Sequence, residues 1–284
     1  MAGSTTTTLN DLLPAITAEA MFVANERSIM RGLVKNYSIP ASNGKTITVP
    51  IYPTQSAAAL TEGDEVSNTA ISTDGVTLTV STVAIRTMVT DLVRASAASN
   101  VVADVGRLFG EAIAKKMDQD LLALFSGFST GVGGASTAFS AAILAQAVAR
   151  LRANSVPSDQ LACVVNPYVA YDLKSALTNT FANPNAGIIQ NEAMATGYVG
   201  TLFGVPVFES SNIANTGTAG DYVGAVFHRD ALGLAMIGDI NIEAQRRASF
   251  VGQDVVASAH YGVGELYDGY GCAITSDSSL VDPA

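Results

Sequence analysis

Residues 99–128 read SNVVADVGRLFGEAIAKKMDQDLLALFSGF, and the period of the apolar residues in this stretch decides what kind of fold the chain builds. Val101, Val105, Leu108, Phe109, Ala112, Ile113, Met117, Leu121, Leu124 and Phe125 recur three or four apart, the spacing that lines one face of a helix. Asn100 is placed to cap the start, and Gly127 and Gly131 follow the end. Glu111 stands four residues before Lys115, the favourable order for a helical ion pair, and Lys116 stands four before Asp120, the weaker order. Thirty residues of helix would be roughly 45 Å long. A compact globule of this chain length has a radius of gyration of roughly 19 Å. The helix is therefore expected to cross nearly the whole molecule, as a beam from which other parts hang.

Upstream of this helix, residues 76–91 (VTLTVSTVAIRTMVTD) alternate in the manner of a strand, with one slip of parity. Val76, Leu78 and Val80 share a face, whereas Val83 and Ile85 take the other. Such a slip marks a bulge or a change in which face is covered. Residues 45–52 (KTITVPIY) alternate too. Between these runs, residues 53–75 carry Glu62, Asp64, Glu65 and Asp74 and no basic residue. The pattern predicts a long two-stranded arm with an acidic tip. Two strands alone are not stable in water, so this arm is expected to lie on another subunit. Residues 9–34 show helical spacing behind a Thr-rich tail, and read as an N-terminal arm.

Downstream, residues 128–138 (FSTGVGGASTA) read as a flexible hinge, and residues 139–153 as a second amphipathic helix. Residues 161–165 form a buried strand, and Asn166-Pro167 opens a helix over 168–177. A polar excursion over 178–197 precedes short strands at 204–208 and 223–227, with a short helix or turn at 229–236. Residues 240–274 are β-rich, bent by Gly262, Gly264, Gly269 and Gly271, and a polar tail ends the chain. The order of elements is that of an α+β fold.

Composition narrows the function. The 284 residues suffice for one large domain or two ordinary ones. Charged residues are 14% and hydrophobic ones 48%, yet no window is apolar for the ~18 residues that a membrane span needs. So little surface charge implies small-residue loops or large contacts between subunits. The net charge of 15 − 25 = −10 argues against wrapping nucleic acid directly, because phosphate contacts need clustered Lys and Arg. Cys163 and Cys272 are isolated, form no metal motif, and point to a reducing compartment. The first residues lack the basic and apolar regions of a signal peptide.

Catalysis finds little support. His228 and His260 are the only histidines, and no G-x-S-x-G elbow frames a nucleophile. The stretch 197–204 (GYVGTLFG) is glycine-rich, but no Lys-Ser/Thr follows it. Tyr261, Tyr267 and Tyr270 lack the surrounding basic residues of a base-stacking platform. No cofactor and no metal is expected.

Five further pieces, in this order, carry a family resemblance. They are the arm with its hairpin and long helix, then Val164-Val-Asn-Pro-Tyr168 with Asp172-Leu-Lys174, and then Gly200-Thr-Leu-Phe-Gly-Val-Pro-Val-Phe-Glu-Ser-Ser-Asn212. After these come Ala225-Val-Phe-His-Arg-Asp-Ala-Leu232, and finally residues 253–262 running on to 268–274. Together they resemble the major capsid protein of tailed double-stranded-DNA phages, the Hong Kong 97-like fold, over about residues 20–274. The resemblance implies a shell subunit that assembles into pentamers and hexamers of an icosahedral head enclosing the genome. Within it, residues 1–35 would be the arm, 36–96 the extended loop, and 97–137 the spine helix with part of the peripheral domain. Residues 138–239 would be the axial domain, and 240–284 the returning strands and tail.

The resemblance also implies partners: a portal protein, a scaffolding protein and, in some members, a decoration protein, with assembly in the host bacterial cytoplasm and the virion as destination. Some members cross-link a loop Lys to a neighbour's Asn. Here residues 53–75 hold no Lys, so no covalent chain-mail is expected. About 35 residues precede the hairpin, which leads to the expectation of a separate scaffolding protein. Glu62, Asp64 and Glu65 are expected to dock on a basic patch of the next subunit, with Arg86, Arg94, Arg246 and Arg247 as candidates. Two other readings stand beside this one: an encapsulin-like nanocompartment shell of the same fold, and a Ser/Thr-rich surface-binding module.

Overall fold

The computed structural model describes residues 28–40, 44–52, 57, 59, 63, 65, 74–92, 101–181, 200–216 and 220–280, with side chains of the long central run given from 104 to 175. The long helix is present as α2 (Val101–Ala123), continued by a 3-10 turn over Leu124–Gly127. Its 23 residues make it about 35 Å long. The predicted face is the buried one: Val105, Phe109, Ile113, Met117, Leu121 and Phe125 all face the core. Leu108 departs from the prediction and stands 61% exposed. Lys116 and Asp120 pair at 2.7 Å along the outer side.

Two sheets hang from this beam. The first has five strands: β1 (Lys35–Ser38), β4 (Ser81–Thr90), β10 (Leu232–Met236), β11 (Asn241–Arg247) and β12 (Gly252–Glu265). β12 is its axis. β4 lies antiparallel along one edge of β12, with β11 and then β10 in tandem along the other. α2 packs on β4 and β12, and the Tyr261 hydroxyl of β12 donates to Asp120 at 2.8 Å.

The second sheet has six strands in the order β5 (Gly131–Ala138), β13 (Gly271–Asp277), β9 (Asp221–His228), β6 (Leu161–Val165), β8 (Val205–Glu209) and β7 (Thr201–Leu202). β5 runs parallel to β13, and β8 parallel to β6. Helix α3 (Ala141–Ala153) packs on β5, β9 and β13 and meets α4 (Pro167–Phe181). Asn166 accepts the Tyr168 N–H at 2.9 Å, which fixes the entry into α4. The thiols of Cys163 and Cys272 flank Val226 of β9 from the two neighbouring strands, both fully buried.

The end of α2 joins the two layers. Phe125 lies 5.3 Å from the Phe227 ring of the second sheet and 6.3 Å from Phe128. Ser129, just beyond, gives its N–H at 2.7 Å and its hydroxyl to the Asp268 carboxylate, tying two of the segments that cross between sheets. The same pairing recurs at both ends of the described chain. Asp172 of α4 accepts the N–H of Ser279 at 2.9 Å and its hydroxyl. Asp118 of α2 accepts the Ser28 hydroxyl at 2.8 Å and the Ile29 N–H at 3.2 Å. These bonds hold the chain entering the short helix α1 (Met30–Leu33). Burial pushes the Asp118 carboxyl up, and the hydrogen bonds from Ser28, Ile29 and Met30 offset part of that rise.

Three sequence expectations are corrected. Residues 131–138 are not a free hinge: they pair with β13, which satisfies their backbone groups. Residues 232–236 are a strand, walled between β1 and β12. The third correction concerns the arm. Among the described residues β2 (Thr46–Ile51) pairs only with β3 (Asp74–Thr79), and the run beyond Val80 leaves the hairpin to pair with β12. The parity slip is thus a change of partner.

The crossing at that slip is tight. A Cβ on Gly262 would sit 2.2 Å from the Thr79 carbonyl oxygen, so only glycine admits the passing backbone. Gly233 and Gly264 face each other across β10 and β12 and floor the seat of Leu78, which is 1% exposed. Ile39, Val80, Ala235 and Leu266 complete a small second core around it.

Candidate subunit-interface surface

Three of the four sequence-derived arginines lie at one end of the five-stranded sheet. Arg86 lies on β4 and Arg246 and Arg247 on β11, the two strands that flank β12. Asp254 of β12 is buried between them. It takes Arg86 at 2.9 Å and Arg247 at 3.4 Å on the same carboxylate oxygen. Arg246 pairs with Asp91 at 2.8 Å. Adjacent residues of a strand project to opposite faces, so Arg246 and Arg247 serve opposite sides of the sheet end.

All three arginine side chains are about half exposed, at 53%, 47% and 44% for Arg86, Arg246 and Arg247. Each carries five N–H donors in a fixed fork, more than the named bonds use. The cluster holds three cations against two carboxylates, a local excess of positive charge in a chain of net charge −10. Glu65 is exposed. Glu62, Asp64 and Arg94 lie outside the described residues.

An apolar tip, which the sequence reading missed, adjoins the cluster. The turn from β11 to β12 passes through a 3-10 segment, Ala248–Phe250, and then Val251. Phe250 is 53% exposed and Val251 62%. Val251 stands at φ 46°, ψ 52°, the left-handed region that a β-branched residue rarely occupies. Its carbonyl accepts the Asp91 N–H at 3.0 Å, which brings the 77%-exposed Leu92 beside it. The Arg247 guanidinium lies over the Phe250 ring, 5.3 Å from its centroid. The signal available in the sequence was Phe-Val directly before Gly252, at a position where turns ordinarily carry polar residues.

Among the described residues, no group of three or more His, Cys, Asp or Glu side chains is arranged to hold a metal ion, and no helix is long and apolar enough to cross a membrane. His228 is buried, with its Nδ1 accepting the Asp230 N–H at 3.2 Å and Tyr270 edge-on to its ring. His260 shares its Nδ1 with the Thr82 hydroxyl at 2.9 Å. His228 thus caps the turn that follows β9, and His260 ties β12 to β4.

The chain is similar to solved shells. The structure of Mycobacterium phage Che8 superposes with a TM-score of 0.70 at 22% identity, covering 87% of this chain and 90% of that one. The capsid of the cyanophage P-SCSP1u gives 0.68 at 20% identity, covering 89% of each. A virus-like particle from Pyrococcus furiosus gives 0.63 at 10% identity, covering 92% of this chain and 98% of that one. No curated protein sequence matches. At these identities the likeness establishes the shared α+β, Hong Kong 97-like fold. A family model described as phage capsid protein matches residues 73–274, from the second hairpin strand to the last strand of the second sheet. Covering well over half of the sequence, that match places the chain in the phage capsid protein family, as a structural subunit and not an enzyme.

Proposed function

We propose that this chain is the major capsid subunit of a phage head, forming pentamers and hexamers that close an icosahedral shell around double-stranded DNA. The observation that carries the reading is the family match over residues 73–274 on a fold shared along nearly the whole chain. The β2–β3 hairpin is seated within the subunit. Its pairs Ile47/Leu78 and Val49/Val76 present an apolar face, while Thr48 and Thr77 bond each other on the other side at 3.1 Å. A two-stranded element needs something to lie on, and here the chain's own second core supplies it, with Ile47, Val49 and Val76 packed against Leu78, Val80, Ala235 and Leu266; the expectation that the paired strands rest on another subunit is thereby corrected.

In this reading residues 1–35 are the arm and 36–96 the extended loop. Residues 97–137 and 240–284 build the peripheral domain around α2, and residues 138–239 the axial domain. The last segment serves both layers, because β13 pairs inside the six-stranded sheet. A scaffolding protein sets the shell size, a portal occupies one vertex, a decoration protein binds outside, and assembly takes place in the host bacterial cytoplasm. The DNA is confined by an acidic wall and not bound by sequence. The acidic residues Glu62, Asp64 and Glu65 reach the basic cluster of the next subunit, formed by Arg86, Arg94, Arg246 and Arg247. Exposed pairs contribute only about 0–1 kcal/mol each, but a shell repeats them in every copy.

Light scattering and negative-stain imaging of the purified chain, with and without a co-expressed scaffold, test the reading. Shells, pentamers or hexamers are expected, and a monomer under both conditions overturns it. Reversing Glu62 and Asp64 to Lys is expected to lower shell yield and salt resistance. Unchanged assembly would remove the acidic loop from the interface. The likeness to the Pyrococcus particle keeps a nanocompartment as the second reading. Nucleic acid inside purified particles favours the phage head, and enclosed protein the compartment.

A further inference from the structure

We infer that the Asp74–Gly75 peptide, at the last pair of the β2–β3 ladder, is a site of spontaneous covalent modification, where the aspartate isomerises to isoaspartate through a cyclic imide. The chain contains two Asp-Gly dipeptides, Asp74-Gly75 and Asp268-Gly269, and the fold treats them oppositely. In an antiparallel ladder, pairs that exchange hydrogen bonds alternate with pairs that do not. The Val80 N–H bonds the Lys45 carbonyl at 2.8 Å, which sets the phase. Ile47/Leu78, Val49/Val76 and Ile51/Asp74 are then the bonded pairs, and Pro50/Gly75 is an unbonded one. Pro50 has no N–H and fits such a position without loss. The Gly75 N–H likewise points away from β2, and it bonds the Asp74 carboxylate at 2.8 Å. That approach lays the Gly75 nitrogen against the side-chain carbon that it attacks in the reaction. Glycine has no Cβ to shield the nitrogen, and both residues are exposed, so water has access.

The reaction needs only water. The Gly75 nitrogen bonds to the Asp74 side-chain carbon, its proton passes to water, and the carboxyl hydroxyl leaves, protonated, as water. A water molecule then opens the imide. Attack at the main-chain carbonyl breaks the bond to Gly75 there, and the chain afterwards runs through the side-chain carbon with no change of mass. The extra backbone carbon falls in the Ile51/Asp74 pair and undoes the end of the ladder, while the seat of Leu78 is untouched. Asp268 is held back from the same reaction. Its carboxylate accepts the Ser129 N–H at 2.7 Å and the Ser129 hydroxyl. Burial works to raise this carboxyl, but the bonds from Ser129 and Glu265 outweigh it and hold it below the ordinary value. It stays ionised, the form that resists attack.

The purified protein, kept near neutral pH for several weeks, is digested with trypsin and mapped by mass spectrometry, with an isoaspartate methyltransferase as the probe for the new linkage. Residues 74 and 268 fall in separate tryptic peptides, 46–86 and 248–284. In the folded protein, isoaspartate is expected at 74 in about tenfold or greater excess over 268. In guanidinium chloride, where the chain is unfolded, the excess is expected to vanish. Gly75→Ala asks only the Thr48 side chain to turn, since the new methyl would meet its Cγ2 at 2.7 Å. The shielded nitrogen is expected to cut the yield at 74 about tenfold. Equal yields at the two sites in the folded protein, or none at 74, overturn the proposal. So does an excess that persists in guanidinium chloride, or a Gly75→Ala protein modified as fast as wild type.

Discussion

Asp118 shows how much a single buried carboxylate can hold. It is 1% exposed on α2, and it accepts the Ser28 hydroxyl and the Ile29 N–H, which fixes where the chain enters the fold. Burial raises its pKa above 3.8. The folded protein therefore binds this proton more tightly than the unfolded chain does. The resulting stability is fully present below the unfolded value and is lost as pH rises through the folded one. Asp118→Asn removes the proton and one acceptor, and should cost about 1–3 kcal/mol. Denaturant unfolding of both proteins between pH 4 and 8 should show the wild-type advantage largest at the acid end and shrinking upward. A difference that is flat with pH would contradict the burial argument. The candidate site was half legible at this scale. The arginines could be picked out because few bases exist and they cluster in sequence. Their partners Asp91 and Asp254 could not, because it is the pairing of β12 with β4 and β11 that brings them together. Leu108 keeps the apolar period but falls where α2 turns its side to solvent, a matter of packing and not of spacing.

At the scale of elements, the passage of the hairpin over the sheet is the most constrained contact. A methyl on Gly262 meets backbone atoms of Thr79 at 2.2 and 2.7 Å, so Gly262→Ala must push the hairpin base off β12. Its expected cost is about 2–3 kcal/mol, typical of an overpacked site. Gly264→Ala meets only the Leu78 side-chain tip, at 2.4 Å, and should cost less because Leu78 can rotate. Thermal unfolding of the two variants should rank them in that order, and the reverse order would mean that the hairpin base is not fixed there. The parity slip at Val80 was readable in the sequence, as were α2, α3, β2, β6 and β8. The new partner of the strand beyond Val80 was not, since alternation reports which face is covered and not by which strand. For the same reason the Gly-rich β5 looked like a hinge: its order comes from β13, more than 130 residues away.

At the scale of the molecule, one beam, two sheets and a hairpin seated on the first of them give a subunit whose apolar tip stands in solvent. Lys35, Lys45, Lys115, Lys116 and Lys174 are all the lysines in the chain. An isopeptide bond from the hairpin tip to a neighbour's Asn needs an amine that residues 53–75 lack. Mature particles should accordingly run as intact single chains on a denaturing gel, and a ladder of oligomers would refute this. The two thiols that flank Val226 have a practical consequence. Burial pushes Cys163 up to about 12 and Cys272 up to about 11, so at neutral pH neither is a thiolate and neither reaches solvent. They are the only cysteines in the sequence. Particles built from it are thus silent to maleimides, and an added surface cysteine, for example Arg152→Cys on the outer side of α3, would react alone. Every copy would then carry one dye or one displayed peptide at the same place, and counting labels per particle would count subunits.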